Sequence, residues 1–199
     1  MPASISEYVP QFPSGKEASR RWRAARAMWC VLAAGALAFV SLIVLAPWAR
    51  AHGQGFLSRI IYRAFSVACH QKPERSFHVA GFPLAVCARC TGLYVGAAAG
   101  VLLYPLMRPL NRLEQPARVW LILSALPTTV DFALGFFGLW ENTHFSRFVT
   151  AVLLGAVAAF YLVPGLVDIG LRAWWRSAGA GFFARAIQGQ VISGEGGRA

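Results

Sequence analysis

Three cysteines and a histidine fall within one connecting segment of this chain, as Cys69-His70 and then Cys87-Ala88-Arg89-Cys90. Three thiols and an imidazole are the number and kind of ligands that a tetrahedral zinc site uses. A CxxC at the start of a helix lets both sulfurs point at one ion, and an amphipathic helix before Cys69 would bring Cys69 and His70 back to that helix end. Cys69, His70, Cys87 and Cys90 are therefore the expected ligands of zinc or another thiophilic metal, with His78 as a spare. Two other readings of the same thiols stand beside this one. An ordinary disulfide between two of them, with the third buried, is the bland one, since thiols outside the cytoplasm tend to oxidise. The sharper one is redox chemistry, because a CxxC at a helix N-terminus with Arg89 inside it favours an accessible thiolate. Cys30 lies in an apolar run and reads as a small core residue.

The second group with chemical potential is charged. Asp131 sits inside an apolar run, where a carboxylate costs about 2.5–3.5 kcal/mol at the bilayer centre and needs a partner or a wet cavity. With the run read as ending at Trp140, the helical rise puts Asp131 about 13 Å from its end. Arg147 is the expected partner, with Arg89 and Arg75 as further counter-charges. These four residues are the candidate catalytic or substrate-binding groups; the alternative is a structural ion pair locking two helices together. Asn142, Thr143 and His144 fall in the short connection that follows and are candidates to cap the next helix, His144 being a weak ligand candidate.

The elements that position these residues are membrane spans. The 199-residue chain is 57% hydrophobic and 14% charged, with a mean hydropathy of +0.51. Soluble domains carry about 25% charged residues. Four apolar runs, at about residues 28–48, 91–107, 119–140 and 148–167, each approach the roughly 20 residues needed to cross a bilayer. The expected fold is an all-α membrane protein of four transmembrane helices plus an amphipathic interfacial helix in the first outer loop. Residues 1–27 and 168–199 read as cytoplasmic tails around a 28–167 membrane domain, and the Cys/His loop spans 49–90. In that loop Phe56, Leu57, Ile60, Ile61, Ala64, Phe65 and Ala68 recur at helical spacing, which suits a helix at the headgroup boundary or one packed on the bundle. Gly92, Gly96 and Gly100 make a small-xxx-small stripe that allows close backbone approach.

The net charge of +11 follows from membrane orientation and not from nucleic acid, because the arginines cluster at the ends of apolar runs. With the N-terminus inside, twelve Lys and Arg fall on inner segments and seven on outer ones. That asymmetry places both termini in the cytoplasm of a multi-pass inner (plasma) membrane protein, with the cysteines facing outward.

The run Cys69-His70-Gln71, Arg75-Ser76-Phe77 and Cys87-Ala88-Arg89-Cys90-Thr91-Gly92 resembles a prokaryotic family of small integral membrane proteins classed as a domain of unknown function. The resemblance covers roughly residues 57–167 and takes in Asp131 and Arg147. It implies that these positions act as one site and implies no particular reaction.

Three functions fit the residues. The first is a metal-centred membrane protein, structural if four ligands close the shell and able to activate water if His70 is not a ligand. The second is a quinone-linked thiol–disulfide oxidoreductase, for which the relay is incomplete because only Cys69 remains beside the CxxC. The third is a small carrier or lipid-handling protein using Asp131 and the arginines, although no paired broken helices are evident. Partners expected from the sequence are the lipid bilayer and an oligomer or membrane-complex partner, with no nucleic acid; the sequence leaves open whether the protein is an enzyme.

Overall fold

In a computed structural model describing residues 15–110 and 114–194, the chain is a bundle of helices. Helix α1 is Gly15–Ala51, α2 Gly55–Ser66, α3 Ala88–Met107, α4 Val119–Phe136 and α5 His144–Gly194. Four of them contain stretches long and apolar enough to cross a membrane: Ala18–Ala51, Ala88–Met107, Val119–Phe136 and His144–Arg172. The fold is therefore an all-helical one with four membrane-spanning candidates and a shorter fifth helix between the first two. The helical stretch of α5 continues well beyond residue 167, through part of the segment that reads as a tail, while 1–14 and 195–199 lie outside the described residues.

Helix α2 combines the two roles its sequence pattern allows. Ser58, Ile61 and Phe65 are buried, and the Ser58 hydroxyl donates to the Ala46 carbonyl of α1 at 2.9 Å. The opposite flank exposes Phe56, Leu57 and Ile60. One face thus packs on the bundle and a second apolar strip is left for lipid, as an interfacial helix requires.

Between α2 and α3 the chain forms a single 3-10 turn, Pro73–Arg75, and a minimal antiparallel hairpin of β1 (His78–Val79) and β2 (Phe82–Pro83). Ala80 and Gly81 make the reversal, both with positive φ (52° and 81°). The hairpin returns the chain to α3, and the Ala85 amide donates to the Ile43 carbonyl of α1.

Two apolar cores lie at opposite ends of the bundle. One gathers Ala33, Val101, Tyr104, Ala159, Val163 and Val167; the indole Nε1 of Trp29 donates to the Val101 carbonyl there at 2.7 Å, tying α1 to α3. The other gathers Ile43, Ala46, Ile61, Phe65, Leu84 and Val86 around Cys69. Cys30, expected in a core, is exposed on α1. Helix α4 has Ser124 as its one buried residue and presents Trp120, Ile122, Val130 and Phe132 outward.

The small-residue stripe sets the closest helix contact. A Cβ at Gly92 would overlap the Phe148 carbonyl oxygen, one at Gly96 that of Val152, and on the partner helix one at Gly155 that of Leu93. With no side chain at these points, α3 and α5 pack backbone to backbone, which replaces hydrophobic drive as a source of association in lipid. Gly96→Ala is expected to force the helices apart and to cost about 1–3 kcal/mol. Thermal unfolding in detergent measures this, and an unchanged midpoint would mean that the contact gives way freely.

Candidate metal centre and its charged neighbours

Each thiol is placed by a different local device. Cys69 follows α2, where its amide donates to the Phe65 carbonyl at 3.0 Å and turns the chain inward. Its sulfur then accepts two backbone N–H groups, from Cys87 at 3.3 Å and Gln71 at 3.5 Å. Two amides converging on one sulfur fix its position, as outer hydrogen bonds do for a metal ligand. Cys87 is the N-cap residue of α3 and Cys90 lies in its first turn.

The three sulfurs of Cys69, Cys87 and Cys90 all lie within 4.8 Å of one another, and all three thiols are free. Cys69 is buried and the other two are half-buried. The Cys90 thiol beside it, against an opposing desolvation, holds Cys87 far below the usual thiol range, at about 5; the amides of Cys90 and Arg89 and the Cys69 thiol add to this. A cluster of three free sulfurs, with Cys87 held toward its thiolate, is chemically suited to a thiophilic ion.

His70 does not join this group. It is exposed, and the group within ligand distance is the three cysteines alone. The reason lies one residue on: Gln71 has φ +50°, and its side-chain amide donates to the carbonyls of Tyr62 and Ala85, each at 2.7 Å. Gln71 thus pins the turn between α2 and the α3 entry, so that Cys69 faces in and His70 faces out. The Tyr62 hydroxyl donates to the Pro83 carbonyl and closes the same turn. His78 is exposed as well. Tyr62 does not stand out in the sequence, whereas Gln71 belongs to the Cys69-His70-Gln71 run that carries the family resemblance.

Asp131 is paired, and its partner is Arg89, not the expected Arg147. The guanidinium Nη2 of Arg89 and Asp131 Oδ2 are 2.6 Å apart, with side-chain exposures of 27% and 9%. Arg89 projects from the first turn of α3, between the two cysteines of the CxxC, and crosses to α4, with its guanidinium also 5.4 Å from the Phe132 ring. Arg147 has no carboxylate within 4 Å among the described residues. Its neighbour Ser146 instead donates to Asp131 Oδ1 at 2.8 Å. Asn142 Nδ2 donates to Oδ2 at 3.1 Å and to the Asp131 backbone carbonyl. Helix α4 ends at Phe136, where Gly138 (φ +68°) reverses the chain and the Leu139 amide returns to the Leu134 carbonyl. Asp131 is therefore only five residues from its helix end, shallower than a span running to Trp140 would put it. Arg89 Nε, Thr128 Oγ1 and Asn142 Oδ1 are buried nearby without hydrogen-bond partners among the described residues.

Arg75 and Arg147 have no carboxylate within 4 Å among the described residues. They line a cavity of about 450 Å³ together with Glu74, Trp140, Glu141, Asn142 and His144. Thr143 Oγ1 accepts the Ser146 amide at 3.0 Å, as a residue capping α5 does. His144, a weak ligand candidate in sequence, has its Nε2 3.1 Å from the Glu74 carbonyl and its ring against Phe77.

Residues 69–161, which hold all of these groups except the α1 and α2 contacts, match the family model described as "Predicted membrane protein (DUF2085)". An uncharacterized protein of Methanocaldococcus jannaschii is 36% identical over 133 residues, covering 64% of this chain and 85% of the relative. The chain belongs to this DUF2085 membrane family. A second relative, an uncharacterized protein of Methanothermobacter thermautotrophicus, is 35% identical over 91 residues, covering 46% of this chain and 80% of its own length. No solved structure matches the chain. The DUF2085 match begins at Cys69 and so takes in the whole thiol group and the Arg89–Asp131 pair.

Proposed function

We propose that this DUF2085 protein is a metal-binding membrane protein, in which Cys69, Cys87 and Cys90 hold zinc or another thiophilic ion as thiolates. The observation that carries the reading is the convergence of three free sulfurs within 4.8 Å, with backbone amides directed at Cys69. Three protein ligands leave a fourth position for water or a substrate atom, the arrangement of a site that can polarise what it binds and not only brace a loop. The Lys and Arg asymmetry supports a site on the outer face of a plasma membrane, with both termini cytoplasmic. Reporter fusions at the C-terminus are expected to be active only in the cytoplasm; activity outside would reverse the orientation.

Cobalt substitution tests the site. Co²⁺ added to the purified protein should give thiolate charge-transfer absorption that falls with each of Cys69→Ser, Cys87→Ser and Cys90→Ser. Added imidazole should shift the ligand-field bands if the fourth position is open. A spectrum unmoved by imidazole and altered by His70→Ala would instead mean that the loop rearranges to close the shell with His70. The quinone-linked alternative gains nothing from Cys30, which lies beside Trp29 and Leu32 of the opposite core.

A further inference from the structure

The cavity lined by Arg75 and Arg147 is separate from the thiols, and its wall has both signs of charge. Arg75 and Arg147 contribute two cations without carboxylate partners. Glu74 and Glu141 contribute two carboxylates, likewise outside any ion pair among the described residues. Trp140 adds an aromatic ring that is 69% exposed. Guanidinium groups suit the oxygens of a phosphate ester. Carboxylates beside an indole suit an ammonium, by charge and by attraction to the ring face. A wall of one sign would select a simple ion, whereas this one is complementary to a zwitterion. Its volume of about 450 Å³ fits a small polar group and is within the usual size of a ligand pocket.

The surroundings say where such a zwitterion comes from. The mouth of the cavity lies where α4 ends and α5 begins, and Phe136, Phe137, Leu139 and Phe145 around it are each 70% or more exposed. A Trp at the end of a spanning helix, here Trp140 in the cavity wall, marks the level of the lipid headgroups, and the exposed phenylalanines and leucine beside it suit the adjoining hydrocarbon. We infer that this cavity binds the headgroup of a zwitterionic phospholipid, with the phosphate held by Arg75 and Arg147 and the ammonium by Glu74, Glu141 and the Trp140 ring. This site does not depend on the metal centre, since none of its five residues belongs to the thiol group. The two are neighbours all the same: Asn142 in the cavity wall bonds Asp131, which pairs with Arg89 between the cysteines.

The test uses the full chain in nanodiscs of equal phosphatidylethanolamine and phosphatidylglycerol, with the lipid retained on release read by native mass spectrometry. Wild-type protein should prefer the ethanolamine lipid by about tenfold, the scale of one charge-assisted contact. Arg147→Gln should lose both lipids. The exposed pair Glu74→Gln with Glu141→Gln, which should leave folding intact, should keep bound lipid and shift the preference to phosphatidylglycerol. Soluble phosphoethanolamine is then added: failure to displace the lipid supports a headgroup site, whereas displacement with no lipid preference would overturn the lipid source. Equal retention of the two lipids by wild type, or a preference unchanged in the double Glu variant, would overturn the inference. The preference should survive metal removal by chelator; its loss on chelation would contradict an independent site.

Discussion

Asp131→Asn is expected to destabilise the protein by about 3–5 kcal/mol, the usual consequence of removing one member of a buried ion pair. The loss comes less from the pair's own attraction than from what it leaves behind. Arg89 would keep its charge at the α3–α4 boundary with its carboxylate gone and its Nε already lacking a partner. Arg75 and Arg147 close the same region with further positive charge. The amide keeps a single acceptor oxygen, so Asn142 and Ser146, which donate to different carboxylate oxygens across the α4–α5 connection, could no longer both be satisfied by this side chain. Removing both charges with Asp131→Asn and Arg89→Gln should therefore cost clearly less than Asp131→Asn alone. Unfolding in detergent with circular dichroism compares the two. If the single and double variants are equally stable to wild type, the pair contributes no structure and Asp131 is free for another role.

The second large effect is expected at the thiols. A hydroxyl in place of Cys87 stays protonated at neutral pH and is a poor ligand for a thiophilic metal. Structural zinc is held with apparent free energies of about 10–16 kcal/mol, so losing one of three thiolates should weaken binding by several orders of magnitude. Cys69→Ser should act similarly and also release the two amides that converge on its sulfur. His70→Ala and Cys30→Ser should change affinity little, because both residues are exposed and neither belongs to the thiol group. Titration against a chromophoric chelator measures all four variants, and a full-affinity Cys87→Ser protein would remove Cys87 from the site.

The architecture was legible because hydropathy runs and interfacial periodicity report on solvent, and solvent decides which segments can cross a bilayer. The four apolar helices, the amphipathic α2 and the glycine stripe all follow from such patterns. The convergence of Cys69 with the CxxC was also legible, since a helix ending just before Cys69 and another starting at the CxxC have few ways to pack. What failed to read through were directions set by single turns. His70 sits next to a cysteine in sequence, yet a positive φ at Gln71 and two bonds from its side chain turn His70 away from the sulfurs. The sequence alone does not decide which of Arg75, Arg89 and Arg147 meets Asp131, and side-chain reach from the α3 N-terminus gives the pair to Arg89. Gly138 was the available signal that α4 stops early, because a glycine after an apolar run commonly ends a helix. Asn142 and Ser146 gave no comparable signal: a polar residue in a short connection has many possible partners.

The most direct measurement is metal content per chain, combined with thiol reactivity, on protein extracted in mild detergent without chelator. A site of three thiolates predicts one equivalent of a thiophilic metal, thiols that resist alkylation until a chelator is added, and proton release on reloading. A metal-free protein whose Cys87 and Cys90 form a disulfide that reductant opens and a quinone restores would contradict it.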